Sequence, residues 1–175
     1  MPTIPQNVLT RPKSWDEFED IVWDPYRWLW DDPHVQRYGR SGQAQQGVDV
    51  YGRPARLDGG YAGIQGKRYG AGNLTRPRIE AEIAKAEAFT PPLAEYLIAT
   101  TEPRAAGLQA PVREIDAARR AAGNFPAGIV FWDDLSGRLK DPANHDLLDK
   151  HYGDWLRGWP TSPRYRLASP ARCCG

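Results

Sequence analysis

The chain predicts an α/β fold, a mixed sheet with helices on its faces, and three observations carry that expectation. Candidate elements run in the order helix, strand, strand, helix, strand, helix, strand, an order that builds a sheet covered by helices. Two short strand-like runs, Gly47-Val48-Asp49-Val50-Tyr51 and Tyr61-Ala62-Gly63-Ile64-Gln65-Gly66-Lys67, are separated by the turn residues Asp58-Gly59-Gly60. The composition, 41% hydrophobic and 26% charged over 175 residues, is that of one globular domain able to bury its own core. A disordered chain would be poorer in apolar residues.

Residues 1–13 are polar and Pro-rich and read as an irregular arm. Ser14-Trp15-Asp16-Glu17 matches a capping box, so a helix is expected to start here, with Phe18, Ile21 and Val22 as its apolar stripe. Pro25 permits a kink or a restart. The segment from Tyr26 to Tyr38 is rich in Trp and acid. Its aromatic rings can stack on bases or pack a core, and the acidic neighbours favour packing because they repel a phosphate backbone. Thr75 is placed to cap a second helix with Pro77 in its first turn. Ile79, Ile83 and Ala86 fall at helical spacing there, with Arg78 and Glu82 expected to pair on the outside. Glu95 to Thr101 reads as a buried strand and the stretch from Leu108 as a third helix closed by Gly123. Gly128 to Trp132 reads as a further strand, with Asp133-Asp134 at its exposed end. A weaker helical pattern runs from Leu139 to Leu156, and the Pro-rich residues 158–175 read as an irregular tail.

Several function classes are excluded or disfavoured. No run approaches the roughly 20 apolar residues of a membrane span. Met1-Pro2-Thr3-Ile4-Pro5 has neither the basic start nor the apolar segment of a signal peptide, so the expected location is the cytoplasm. Cys173 and Cys174 are adjacent and without partners at zinc spacing, and the three histidines are scattered. There is no Gly-x-x-x-x-Gly-Lys loop for a nucleotide triphosphate. The net charge of +1 gives no global sign of nucleic-acid binding. Locally, Arg53, Arg56, Lys67, Arg68, Arg76 and Arg78 stand against Asp58 alone. Two readings of that cluster remain, phosphate contacts or ordinary solvated charge.

The hairpin carries the chemistry. Side chains alternate along a strand, so Gln65 and Lys67 share one face while Ile64 takes the other, and Asp49 faces away from Val48 and Val50. A carboxylate, an amide and an ammonium on one face can hold a cation and a phosphate. An Asp on one strand followed by Gln-x-Lys on the next resembles the PD-(D/E)xK nuclease superfamily, in its Mrr-like restriction endonuclease branch. The run from Gly39 to Asp49 resembles the Gly/Gln-rich approach to the catalytic Asp in that family, and Phe18-Glu19 resembles a step in its first helix.

The resemblance covers residues 14–157 and implies a restriction-endonuclease-like three-layer α/β/α domain with a central mixed sheet of four to five strands. It implies a metal-dependent DNA endonuclease of restriction or antiviral defence, similar to bacterial effector nuclease domains. Magnesium or manganese would be held by Asp49, Gln65, the carbonyl of Gly66, and Glu19, and Lys67 would serve the attacking water and the phosphate. On the residues alone, Glu19 reads as a solvent-facing helix residue. Gln65 offers a neutral oxygen where a Glu would bind metal more tightly. Arg40, Gln43, Gln46 and Arg68 are the expected substrate contacts, although a plain Gly turn with surface amides accounts equally for Gln43 and Gln46. DNA is the expected partner, a sensor or regulatory protein and a second copy of the chain are further ones, and no membrane is involved. The alternative from another class is a catalytically silent module of the same fold that binds nucleic acid or a protein.

Overall fold

A computed structural model describes residues 8–39, 46–69 and 74–157. Helix α1 (Trp15–Leu29) starts at Ser14, whose hydroxyl accepts from the Glu17 amide at 3.1 Å. The Glu17 carboxylate reaches back to the amide of Lys13, at 2.6 Å, rather than to that of Ser14. The helix runs on through Pro25 without ending there. Then come β1 (Gln36–Arg37), β2 (Val50–Gly52), a 3-10 turn over Ala55–Leu57 and β3 (Tyr61–Lys67). Helix α2 (Arg76–Ala86), β4 (Leu93–Thr100), helix α3 (Ala106–Ala121) and β5 (Ala127–Val130) follow, and then helices α4 (Trp132–Leu139) and α5 (His145–Arg157).

The five strands form one mixed sheet in the order β1-β2-β3-β4-β5. The first three are antiparallel neighbours, whereas β3, β4 and β5 are parallel, each pair joined through a helix. Period-2 alternation sorts the side chains of β3 and β4 into two cores. Ala62, Ile64 and Ala99 join Val50 and Val130 beneath α1, α4 and α5, around Phe18, Ile21, Leu135 and Leu148. Tyr96 and Ile98 join Val48 and Ala127 beneath α2 and α3, around Ile79, Ile83, Val112 and Ile115. Helices therefore cover both faces, and β3 and β4 are buried on both sides, as parallel strands require.

Four expectations change. The strand expected from Gly128 to Trp132 ends at Val130, and Asp133 and Asp134 lie in the first turn of α4, where acids complement the helix N-terminus. Strand β1, two residues long, gives no periodic signal. Tyr26 and Trp30 are buried with their rings edge to face at 5.1 Å, whereas Trp28 is 75% exposed, so the Trp-rich segment is only partly core. Residues 8–13 have no regular structure, as expected, but are bound to the domain. Leu9 is buried, its carbonyl accepts from the Trp132 indole at 3.2 Å, and the carbonyl of Thr10 accepts from the Tyr152 hydroxyl at 2.6 Å. Among the described residues no helix is long and apolar enough to cross a membrane.

Candidate active site

The site arises where β2 and β3 part. Their antiparallel register runs from Gly52 opposite Ala62 to Val50 opposite Ile64, and one further bond joins the Asp49 amide to the Ile64 carbonyl at 2.8 Å. Beyond it, Gly66 keeps β4 on one side but has lost β2 on the other, toward which its amide and carbonyl point, and these must still find partners. Side chains supply them. The Gly66 amide donates to Asp49 Oδ2 at 2.7 Å, and Gln65 Nε2 donates to the Gly66 carbonyl at 3.2 Å and also to Asp49 Oδ2. A Cβ at position 66 would sit 3.3 Å from Asp49 Oδ2 and 3.4 Å from the Phe18 ring, a tight fit that glycine avoids. The expected simple alternation at Asp49 does not hold. Val48 faces one core and Val50 the other, so the chain twists at Asp49 and its carboxylate turns along the sheet edge toward β3.

Asp49 and Gln65 are both buried. Burial pushes the Asp49 carboxyl up to about 6; the Gly66 amide and nearby Lys67 pull it down, and the charges of Glu19 and Glu82 push it further up. Lys67 lies within this electrostatic group, its ammonium 3.1 Å from Glu82 Oε1. Glu82 also accepts from Lys85, at 2.9 Å. Helix α2 is seated against the Asp49 approach by Tyr96, whose hydroxyl donates to the Gly47 carbonyl at 2.7 Å, with the Glu82 carbonyl at 3.4 Å. Gly47 has φ +69°, and a Cβ there would come within 2.8 Å of Lys85 Cβ, so both conformation and space demand glycine.

Asp49, Gln65 and Gly66 are thus brought together, and Lys67 follows on the same strand with its ammonium on Glu82. Glu19 is held elsewhere. Its Oε2 meets Arg37 Nη2 at 2.5 Å, and Arg37 also binds Asp20 at 2.9 Å, so Arg37 engages that oxygen while the charge of Glu19 still pushes the Asp49 pKa up. Of the expected substrate contacts, Arg40 and Gln43 lie outside the described residues. Gln46 accepts from the Tyr38 hydroxyl at 3.3 Å, and Arg68 Nε donates to the Pro12 carbonyl at 3.1 Å. Part of the basic cluster pairs with acids, most of them distant in sequence. Arg56 forms a two-pronged pair with Glu95 at 2.6 Å, Arg76 binds Glu80 and Glu114, and Lys67 binds Glu82.

Glu82 is the site residue that sequence reasoning missed. It is expected on the outside with Arg78, but it is buried on the stripe Ile79, Glu82, Ile83, Ala86. The signal is present, because i, i+3, i+4, i+7 is the spacing of a core-facing stripe and Glu82 occupies its second position. An acid on a buried stripe needs a charged partner, and Lys67 supplies it.

The donors at the strand parting suit a hard divalent cation. The Asp49 carboxylate and the Gly66 carbonyl are oxygens, and a half-turn of the Gln65 amide would present its oxygen in place of its nitrogen. Among the described residues no group of three or more His, Cys, Asp or Glu side chains is arranged to hold a metal, so neutral oxygens and water would have to complete the shell. Magnesium, which takes one or two carboxylates and keeps several waters, is compatible with that set. No protein-family model, no curated protein and no solved structure matches the chain.

Proposed function

We propose that the chain hydrolyses phosphodiester bonds in DNA with a bound divalent cation, on a restriction-endonuclease-like variant of its α/β fold. The observation that carries this is the convergence of the Asp49 carboxylate, the Gly66 carbonyl and the Gln65 amide where β2 and β3 part, with Lys67 one residue further on. A bound magnesium or manganese ion would make hydroxide available at neutral pH and stabilise charge developing at phosphorus. Asp49, deprotonated above about pH 6, provides the anionic anchor. Gln65 and Gly66 orient it from the neighbouring strand. Lys67 carries a positive charge at the end of β3, where it can offset charge on a phosphate and orient a water for attack. The place in restriction or antiviral defence rests on the resemblance of Asp49, Gln65 and Lys67 to the nuclease pattern.

A second reading, a silent module that binds nucleic acid or a protein, is favoured by one observation. Gln65, Asp49 and Gly66 satisfy one another, and Arg37 occupies Glu19, so the polar groups are already paired. Incubation of the purified chain with supercoiled plasmid separates the two. The hydrolase reading expects nicking or linearisation with manganese, arrest by chelator, and loss of at least about a hundredfold in rate in Asp49→Ala and Lys67→Ala, the scale of removing one preorganised charged group. Manganese-independent cutting, or unchanged cutting in both variants, would remove it.

A further inference from the structure

We infer that Glu82 is a positioning residue for Lys67 and that Lys85 is the counter-ion that lets Lys67 leave it, an inference that rests on the hydrolase reading above. A buried carboxylate needs one cation to offset its loss of water. Glu82 has two, on the same oxygen: Lys67 Nζ at 3.1 Å and Lys85 Nζ at 2.9 Å. They differ in kind. The Lys67 side chain is 15% exposed and ends the strand that carries Gln65 and Gly66, whereas the Lys85 side chain is 58% exposed and sits one helical turn from Glu82. A carboxylate with only structural work to do is satisfied by the nearer, solvated lysine. The additional pairing matters if Lys67 has a second place to be.

The geometry provides for that exchange. Glu82 itself is held fast, because its helix is seated on Gly47 and Tyr96. The Lys67 side chain, four methylenes long, hangs from the strand end beside Asp49. When a phosphate group draws the Lys67 ammonium across, Lys85 remains on Glu82 Oε1 and the buried acid is not left unpaired. The two lysines thus share one anion, and the share each takes sets how readily Lys67 is delivered.

The test uses site-resolved reductive methylation of lysines, read by mass spectrometry, beside plasmid-cleavage kinetics with manganese. Glu82→Gln is isosteric and Lys85→Met is exposed, so both variants are expected to fold. Glu82→Gln should raise the methylation rate of Lys67 about fivefold and Lys85→Met should lower it about fivefold, the size of one ion pair of this exposure. In cleavage, Glu82→Gln should lower kcat while KM falls or holds, since it removes a negative charge near the bound phosphate. Lys85→Met should lower kcat/KM about fivefold, with Lys85→Arg restoring it. Unchanged methylation of Lys67 in both variants overturns the inference, as does wild-type cleavage by both. If methylation shifts as expected and no form of the chain cuts DNA, the shared pairing stands and the hydrolase reading falls.

Discussion

Substituting asparagine for Asp49 should make the protein more stable at alkaline pH, although it removes the residue on which the proposed chemistry depends. The carboxyl is 5% exposed and its pKa rises from 3.8 to about 6, chiefly through burial. Between those values the folded protein retains a proton that the unfolded chain has released, so stability falls as pH rises through the window. Above about pH 6 the full penalty applies. The gap, at about 1.4 kcal/mol per pH unit, corresponds to about 3 kcal/mol. A neutral amide avoids it at little cost, because the Gly66 amide and Gln65 Nε2 both donate to the same Asp49 oxygen, which the carbonyl of the new side chain can replace. Asp49→Asn should therefore be about 2–3 kcal/mol more stable than wild type at pH 8, a rise in Tm of roughly 5–10 °C for a chain of this size, and equal to it near pH 4. Urea denaturation across pH 4–8 measures this. Parallel stability profiles for the two proteins, or a less stable variant at pH 8, would refute the reasoning.

Three other outcomes are expected. Arg37→Ala releases Glu19 beside Asp49 and should tighten manganese binding several-fold by calorimetry, a gain abolished in Arg37→Ala/Glu19→Gln; equal affinity in wild type and Arg37→Ala would show that Glu19 cannot reach the site. Gly47→Ala forces a left-handed φ on alanine and a 2.8 Å approach to Lys85 Cβ, and should cost about 2 kcal/mol or more in chemical denaturation. Asp24 behaves in the opposite sense to Asp49: burial alone would raise its pKa, but hydrogen bonds from His151 at 2.7 Å and Lys150 at 2.6 Å outweigh it and hold it below 3.8. Its contribution is present above about pH 4 and is lost as pH falls through the depressed value, so Asp24→Asn should destabilise the fold at pH 7 and progressively less under acid conditions, read by urea denaturation at pH 7 and pH 3.

Local signals make much of the fold legible. Strand Tyr61–Lys67 is readable with both its ends, because Asp58-Gly59-Gly60 bounds it on one side and a polar connector on the other. The start of α1 is marked by Ser14, and the opposite facing of Ile64 and Gln65 follows from the strand period. What stays hidden depends on contacts between distant residues. Strand β1 is two residues long and exists only because β2 pairs with it. Asp133 and Asp134 follow an apolar run that serves strand and helix alike, and the run gives no sign of where one becomes the other. The charge cluster from Arg53 to Arg78 is a count along the chain, whereas Glu95 and Glu114, which neutralise part of it, arrive from β4 and α3. Glu19 gives no hint of Arg37, eighteen residues on. Glu82 is the exception, since its place on the apolar stripe is readable from spacing alone.

The proposed hydrolysis requires Asp49, Gln65 and Gly66 to hold one cation together. Titrating manganese into isotopically labelled protein and following amide signals by NMR tests it most directly. The Gly66 amide and the Gln65 side-chain signals should broaden first, at stoichiometric metal, and Asp49→Asn should remove the effect. Broadening that begins at other residues, or that persists unchanged in Asp49→Asn, would contradict it.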